Sequence, residues 1–251
     1  MPVKKYDLIF SLGAACLCSQ MLRKKNLQFC SYPLDWVAGG DFASRVDLLV
    51  SGFKDYFNKE DIVFTGGQNG DENNPCEICE NKRTEMKFPH DFPAGADLDA
   101  SYPAVKAKYD RRISRLLDMI ESGRNILIVY TIPPPPPGLL KENISEEILQ
   151  ECHHKITARF PDKTMDLLCI SCADHFEEKR IGGHITKIAF DFSKPDGVPP
   201  YDVRKLRTIV SDYRLRQTLS DRIRNFKFKM KKRLKRWTKK ALCYLTFRPS
   251  L

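Results

Sequence analysis

One apolar run constrains the fold of this 251-residue chain more than any other feature of its sequence. Residues Asn125 to Ile132 read NILIVYTI, and five consecutive prolines end the run at once. An apolar run of strand length without a polar face is typical of a strand that is buried on both sides of a sheet. Met165 to Ser171 and Ile185 to Phe192 are predicted to be two more strands. The chain is therefore expected to build a sheet that helices cover on both faces.

Helical patterns stand before and between these predicted strands. Asp41 is placed to cap a short helix, and apolar residues recur at helical spacing from Val105 to Ser122. Ser145 opens another predicted helix, which reaches about Phe160. This alternation predicts a three-layer α/β domain with a mainly parallel sheet. The connection from Ser171 to Ile185 is barely long enough for a parallel crossover, which makes the last strand a candidate antiparallel edge.

The N-terminal segment predicts a strand, a tight turn and a helix that together place a cysteine. An apolar run over residues 8–10 ends at Ser11 and Gly13, and residues 14–25 favour a helix. Cys16 then falls in the first helical turn, where unpaired amides and the helix dipole stabilise a thiolate. Ser11 and the amides around Gly13 could add donors for an oxyanion. The alternative is a small thiol buried under the turn.

Three motifs in this part of the chain resemble a known family. They are S-L-G-x-x-C ending at Cys16, S-x-P-x-D-W ending at Trp36, and H-D-F beginning at His90. In order and spacing they resemble the bacterial family described as putative papain-like cysteine peptidases of unknown function, and the resemblance covers about Lys5 to Val129. The sequence departs from the family pattern at Leu34, where phenylalanine is expected, and in an inserted cysteine pair before His90.

The resemblance implies a catalytic set. Cys16 would be the nucleophile, His90 the base that holds its thiolate, and Asp35 the carboxylate that orients the imidazole. Asp91 would only support the site, because adjacent side chains on an extended segment point apart. The alternatives are a loop histidine for His90 and a turn residue beside a buried Trp36 for Asp35.

Two cysteine pairs have the spacing of zinc half-sites. Cys76 and Cys79 lie in the polar stretch from Gly66 to Asn81, which is predicted to be a loop. The second pair is Cys169 and Cys172, and 89 residues lie between Cys79 and Cys169. That separation is far larger than in a compact zinc ribbon, so no metal site is predicted and Cys76 and Cys79 stay weak candidates. No nucleotide-binding glycine motif and no serine hydrolase motif occurs in the sequence, and no cofactor is expected.

The end of the chain carries the whole net charge. Residues 222–251 hold twelve lysines or arginines and no acid, whereas residues 1–221 hold thirty basic and thirty-two acidic residues. Apolar residues recur at steps of three or four in this tail, so it is predicted to be a basic amphipathic helix separate from the domain of residues 1–221. The residues expected to bind an anionic membrane surface are Phe226, Lys231, Lys232, Trp237, Lys239 and Lys240. Packing on the domain and binding to nucleic acid are the alternatives, and the aromatic face disfavours nucleic acid.

These features lead to one expected function and two alternatives. We expect a cytoplasmic cysteine-dependent hydrolase or transferase that is peripheral to the inner membrane and acts on a peptide or glycan-linked substrate. The first alternative is an enzyme or accessory protein of surface-polysaccharide or lipid-linked glycan assembly that forms no acyl-enzyme. The second is a membrane-recruited binding module without catalysis. Rapid labelling of Cys16 well below pH 8 would favour the hydrolase.

Overall fold

The computed structural model describes residues 4–71, 74–134, 143–194 and 201–218, together with residues 222, 223, 225, 226 and 230. Contacts divide the chain into a first unit, Met1–Leu215, and a second, Arg216–Leu251. The boundary predicted from charge, between residues 221 and 222, falls inside the second unit. The predictions for Lys231, Lys232, Trp237, Lys239 and Lys240 lie outside the described residues.

The first unit holds the described strands and helices. The strands are β1 (Lys4–Tyr6), β2 (Leu8–Gly13), β3 (Ala38–Gly39), β4 (Ile62–Asp71), β5 (Asn74–Asn81), β6 (Met86–Pro93), β7 (Asn125–Ile132), β8 (Thr164–Cys172), β9 (Glu177–Ile181), β10 (Ile185–Phe190) and β11 (Tyr213–Leu215). The α-helices are α1 (Ala15–Lys24), α2 (Phe42–Val50), α3 (Leu98–Ser122), α4 (Glu146–Arg159) and α5 (Val203–Ile209).

The main sheet has five strands in the order β2-β7-β8-β10-β9. The first four run parallel, and β9 pairs antiparallel with β10 at the edge. The predicted α/β class is therefore confirmed, but the expectation of an antiparallel last strand is wrong. The short connection contains no crossover helix. The chain instead runs out to the edge as β9 and returns as β10 into the position beside β8, which restores the parallel direction.

The two faces of this sheet are covered by different helices. Alternate residues of β2 and β7 point to opposite sides, as the pleat requires. Ile9 and Val129 pack in a core with residues of α1 and α5, whereas Phe10 and Ile128 pack in a core with residues of α2, α3 and α4. The predicted three layers follow from this division.

Helix starts follow the capping signals in the sequence. The Asp41 carboxylate accepts from the Ser44 amide at 2.8 Å, and the Ser145 hydroxyl accepts from the Ile148 amide at 3.3 Å, which confirms both predicted starts. Helix α3 begins at Leu98, earlier than predicted, because Asp97 caps it and the helix continues through Pro103. The proline interrupts the sequence pattern but not the helix.

A second, four-stranded antiparallel sheet has the order β3-β6-β5-β4. The loop predicted for residues 66–81 is wrong, since β4 and β5 form a hairpin there. Its glycines and polar residues have low intrinsic strand propensity, but Cys79 is fully buried and pairs across from Phe88 of β6. Burial against β6 therefore decides the conformation. The remaining two strands, β1 and β11, form a short parallel pair.

Candidate active site around Cys16

Cys16 is the second residue of α1, directly after the turn that ends β2. The first amides of a helix have no acceptor within the helix, so they and the helix dipole favour an anion at this position. The Cys16 side chain is partly exposed, and its sulfur lies 3.6 Å from the Tyr201 hydroxyl oxygen. The thiol is thus accessible and has a hydrogen-bond partner.

Gly13 is required where it stands because of a buried arginine. Its φ is +121°, and a Cβ there would lie 2.3 Å from Nη1 of Arg45. Arg45 is completely buried, and its guanidinium donates to backbone carbonyl oxygens. These are Leu12 at 2.7 Å, Val37 at 3.0 Å, Gly39 at 2.5 Å and Gly40 at 3.4 Å. A positive charge is therefore fixed beneath the turn that precedes Cys16.

Sequence reasoning did not single out Arg45, although a signal was present. Arg45 follows Phe42 by three positions and precedes Leu49 by four, so it shares the apolar face of α2. A charged residue on such a face is rarely buried without a partner.

Two backbone amides in the turn before Cys16 already donate hydrogen bonds within the protein. The Gly13 amide donates to the Ser11 hydroxyl oxygen at 2.9 Å, and the Ala14 amide donates to the Thr131 carbonyl oxygen at 2.9 Å. Ser11 and Gly13 therefore bond to each other in this arrangement. The amides of Ala15 and Cys16, at the start of α1, are the better placed donors for an oxyanion.

The second motif packs along the helix that carries Cys16. The Ser19 hydroxyl lies 3.2 Å from the Cys16 carbonyl oxygen and 3.0 Å from the Asp35 carbonyl oxygen. One turn further on, Arg23 donates to the Ser31 hydroxyl at 2.9 Å, and its guanidinium carbon lies 5.5 Å from the centre of the Trp36 ring. Residues 31–36 are thus held against α1.

Asp35 is buried within this segment. Its Oδ2 accepts from Gln28 at 2.5 Å, from the Tyr32 amide at 2.9 Å and from Arg23 at 3.3 Å. Burial raises the pKa of Asp35 to about 6, although the Tyr32 amide and Arg23 act in the opposite direction. These contacts make Asp35 a structural centre of the segment, and its role in orienting His90 stays a prediction.

His90 lies on β6 with its side chain exposed. Its Nδ1 is 3.0 Å from the Asn69 side-chain nitrogen on β4, and that nitrogen also donates to the Pro89 carbonyl at 2.9 Å. On another side the His90 ring meets the Trp36 ring edge to face, with 6.3 Å between the centroids. Asn69 was missed because its segment was predicted to be a loop.

Asp91 points away from His90, as expected for neighbours on a strand. Its carboxylate accepts from the Tyr109 hydroxyl at 2.6 Å and pairs with Lys108 at 2.5 Å. Asp91 therefore ties β6 to α3, and its supporting role in the site stays a prediction.

The second sequence motif contacts both the helix that carries Cys16 and the side chain of His90. Ser19 and Arg23 join the Cys16 helix to residues 31–36, and Trp36 joins those residues to His90. Within the described part of the chain no hydrogen bond or ion pair connects Cys16 and His90. Their direct pairing stays a prediction.

Burial makes the thiols of several other cysteines less acidic than an ordinary thiol, in contrast to the partly exposed position of Cys16. It raises the pKa of the Cys18 and Cys79 thiols to about 12 and that of Cys152 to about 11, which keeps these thiols protonated at neutral pH. The two CxxC pairs belong to different sheets, on β5 and β8. Across the described ranges, no three histidine, cysteine, aspartate or glutamate residues are grouped so that they could hold a metal ion.

The described residues of the tail expose apolar side chains. Ile223, Phe226 and Met230 are 50%, 63% and 47% exposed. None of the helices that the structure describes is both long and apolar enough to cross a bilayer.

The fold and this site together define a class: an α/β protein with an accessible cysteine at a helix N-terminus and a histidine on an adjoining sheet. Residues 7–174 match the family described as "Putative papain-like cysteine peptidase (DUF1796)", and the chain belongs to that family. The matched segment contains Cys16, Asp35 and His90 and ends before Tyr201.

One curated protein is similar to part of this chain. "Uncharacterized protein R408" of Acanthamoeba polyphaga mimivirus is 28% identical over 154 residues, which cover 56% of this chain and 68% of that protein. This relative is viral, so it lends no support to the bacterial origin expected for the family. No solved structure matches the chain.

Proposed function

We propose that this protein is a cysteine-dependent hydrolase whose nucleophile is Cys16. The observation that carries the proposal is the position of Cys16: partly exposed, in the first turn of α1, with the Tyr201 hydroxyl 3.6 Å from its sulfur. A helix N-terminus stabilises the thiolate, which is the reactive form of cysteine. Membership in a family described as papain-like cysteine peptidases agrees with this chemistry.

The reaction has two halves. The Cys16 thiolate forms a bond to the carbonyl carbon of an acyl substrate, and the π electrons move onto the oxygen, which the amides at the start of α1 would stabilise. Collapse of this intermediate breaks the bond to the leaving group, which takes a proton from imidazolium His90. Water then attacks the thioester and gives up a proton to His90, so that a carboxylic acid and the thiol are released.

His90 is the proposed proton carrier, and two residues are candidates to orient it. The Asn69 side-chain nitrogen lies 3.0 Å from Nδ1 of His90 and can donate to it when the imidazole is neutral with its proton on Nε2. Asp35 is the candidate from the family resemblance, and its neighbour Trp36 contacts the His90 ring. A side-chain amide and a carboxylate can each orient a catalytic imidazole, so the two are distinguished by their variants.

The substrate class proposed is a peptide or a glycan-linked acyl compound. An accessory role in lipid-linked glycan assembly is the first alternative, and a binding module without catalysis is the second. In the first alternative Cys16 and His90 shape a binding pocket, and neither alternative predicts a covalent intermediate.

We also propose that the tail holds the protein at an anionic membrane surface. Exposed Ile223, Phe226 and Met230, at spacings of three and four, lie in a segment with twelve basic residues and no acid. An apolar face flanked by cations is the pattern of helices that lie in the membrane interface.

Acyl transfer from p-nitrophenyl esters tests the hydrolase proposal. We expect intact-mass spectrometry to show one acyl group on Cys16 during turnover, and no such adduct in Cys16→Ala. His90→Ala should slow turnover by about 100-fold or more, while His154→Ala, on the exposed side of α4, leaves it unchanged. Asn69→Ala and Asp35→Asn then show which residue orients His90. A Cys16→Ala variant with full activity would overturn the proposal.

A further inference from the structure

A surface cavity opens at the same edge of the main sheet as Cys16. Its volume is about 410 Å³, within the range of small-molecule sites. It is lined by Pro134, Cys172, Ala173, Asp174, Asp191 and Ser193. These residues lie at or just after the carboxyl ends of β7, β8 and β10, and Cys16 follows the carboxyl end of the neighbouring strand β2. In open α/β sheets this edge is where ligands bind.

The cavity wall and the thiol are connected through Tyr201. Ser193 forms an antiparallel backbone bridge with Tyr201, and the Asp202 amide donates to the Phe192 carbonyl oxygen at 2.8 Å. These bonds hold the backbone of Tyr201 against a residue that lines the cavity. Its hydroxyl lies 3.6 Å from the Cys16 sulfur. Tyr201 thus contacts both a residue of the cavity wall and the thiol.

The direction of this hydrogen bond follows from the chemistry of the two groups. Burial raises the pKa of the Tyr201 phenol, and the contact with Cys16 raises it further. The phenol therefore stays protonated near neutral pH. A protonated phenol donates and a thiolate accepts, and hydrogen bonds to an ionised partner are the stronger kind.

We propose that Tyr201 is a catalytic residue that donates a hydrogen bond to the Cys16 thiolate, and that the adjoining cavity binds the acyl substrate of that thiolate. The proposal rests on the proposed function, because it takes Cys16 as the nucleophile. The substrate class is an ester, thioester or amide with one group small enough for the cavity. Tyr201, Asp191 and Ser193 lie outside the segment that matches the family.

The first experiment measures alkylation of Cys16 by iodoacetamide as a function of pH, by mass spectrometry of the peptide that spans residues 6–23. Fragment ions separate Cys16 from buried Cys18, which serves as an internal control. We expect Tyr201→Phe to slow alkylation of Cys16 about five- to tenfold near pH 6, since a charge-assisted hydrogen bond is lost. At alkaline pH, the rates for Cys16 in wild type and in Tyr201→Phe should converge.

Tyr213→Phe is the matched control and should follow the wild-type profile. Should Tyr201→Phe fail to fold, Tyr201→Gln, which keeps a donor, is compared with Tyr201→Met, which has none. Equal rates for wild type and Tyr201→Phe near pH 6 would overturn the role of Tyr201. Failure of the proposed function gives a different result: wild-type Cys16 would then react no faster near pH 6 than a cysteine in an unfolded peptide.

The second experiment tests the cavity with two alkylating reagents of different size. Ala173→Trp is expected to fill the cavity, slowing alkylation of Cys16 by iodoacetanilide at least about tenfold while iodoacetamide reacts within about twofold of the wild-type rate. Ala104→Trp, on the exposed side of α3, should change neither rate. If Ala173→Trp slows neither reagent, the cavity does not serve Cys16.

Discussion

The indole of Trp36 meets the imidazole of His90 edge to face, with 6.3 Å between ring centroids and 88° between the ring planes. The guanidinium carbon of Arg23, two turns along α1 from Cys16, lies 5.5 Å from the centroid of the same indole. Trp36 therefore connects the helix that carries the thiol to the strand that carries the histidine. This contact gives the S-x-P-x-D-W motif a physical role: it sets where His90 stands relative to α1.

Replacing Trp36 with leucine should disturb His90 more than the fold. We expect the ring-proton NMR signals of His90 to shift, because the ring current of the indole is lost, while the other four histidines keep their signals. Ester turnover should fall about tenfold, as is typical when a catalytic group loses its positioning contact. The chain has two tryptophans, and Trp237→Leu is the matched control. Unmoved His90 signals in Trp36→Leu would contradict the contact.

Arg45 should be among the most costly residues to replace. Arg45→Leu removes four hydrogen bonds to carbonyl oxygens in a fully buried position. We expect a loss of about 3 kcal/mol or more in the free energy of unfolding, measured in urea. Arg111→Leu on the exposed face of α3 should change it by less than about 0.5 kcal/mol. A similar loss in both variants would mean that the guanidinium beneath Gly13 has no special role.

How far the sequence predicts this structure depends on how local each signal is. The buried run of β7 and the caps Asp41 and Ser145 act within a few residues, and all three are predicted correctly. The hairpin of β4 and β5 depends instead on burial of Cys79 against β6, which no local propensity shows.

The candidate site is also hard to predict from sequence, because several of its contacts join residues that are far apart in the chain. The sequence motifs supply Cys16, Asp35 and His90, but Asn69 and Tyr201 stand 21 and 185 residues from the groups that they contact. Arg45 contacts Leu12 across 33 residues. Contacts of this kind follow from sheet register and helix packing, so a single sequence with no alignment cannot locate them.

Asp35 should give the fold an unusual pH dependence. Its folded pKa of about 6 lies above the ordinary value of 3.8, so between these values the folded state binds more protons than the unfolded state. Stability then falls as pH rises through this window, by up to about 3 kcal/mol in total. The quantity to measure is the unfolding free energy of wild type minus that of Asp35→Asn. We expect it to decrease by about 2–3 kcal/mol from about pH 4 to about pH 7.

Urea titrations at several pH values measure this difference, and exposed Asp162→Asn serves as the control. A difference that grows with pH would contradict the prediction. It would show that the ion pair with Arg23 outweighs burial and holds Asp35 ionised.

The tail gives a prediction that is independent of the catalytic site. Each basic residue near an anionic surface contributes on the order of 1 kcal/mol, so a fraction of the twelve in residues 222–251 is sufficient for recruitment. Full-length protein should sediment with anionic vesicles and not with neutral ones. Rising salt should weaken binding because the attraction is partly Coulombic, and the apolar residues should leave a remainder that salt does not remove.

Two variants separate the charge from the apolar face of this tail. Deleting residues 222–251 should abolish sedimentation while circular dichroism shows that residues 1–221 stay folded. Phe226→Ser should remove mainly the salt-resistant part, because this exposed side chain carries no charge. Equal binding of full-length and truncated protein would refute membrane attachment by the tail. Loss of the fold on truncation would show instead that the tail is part of the core.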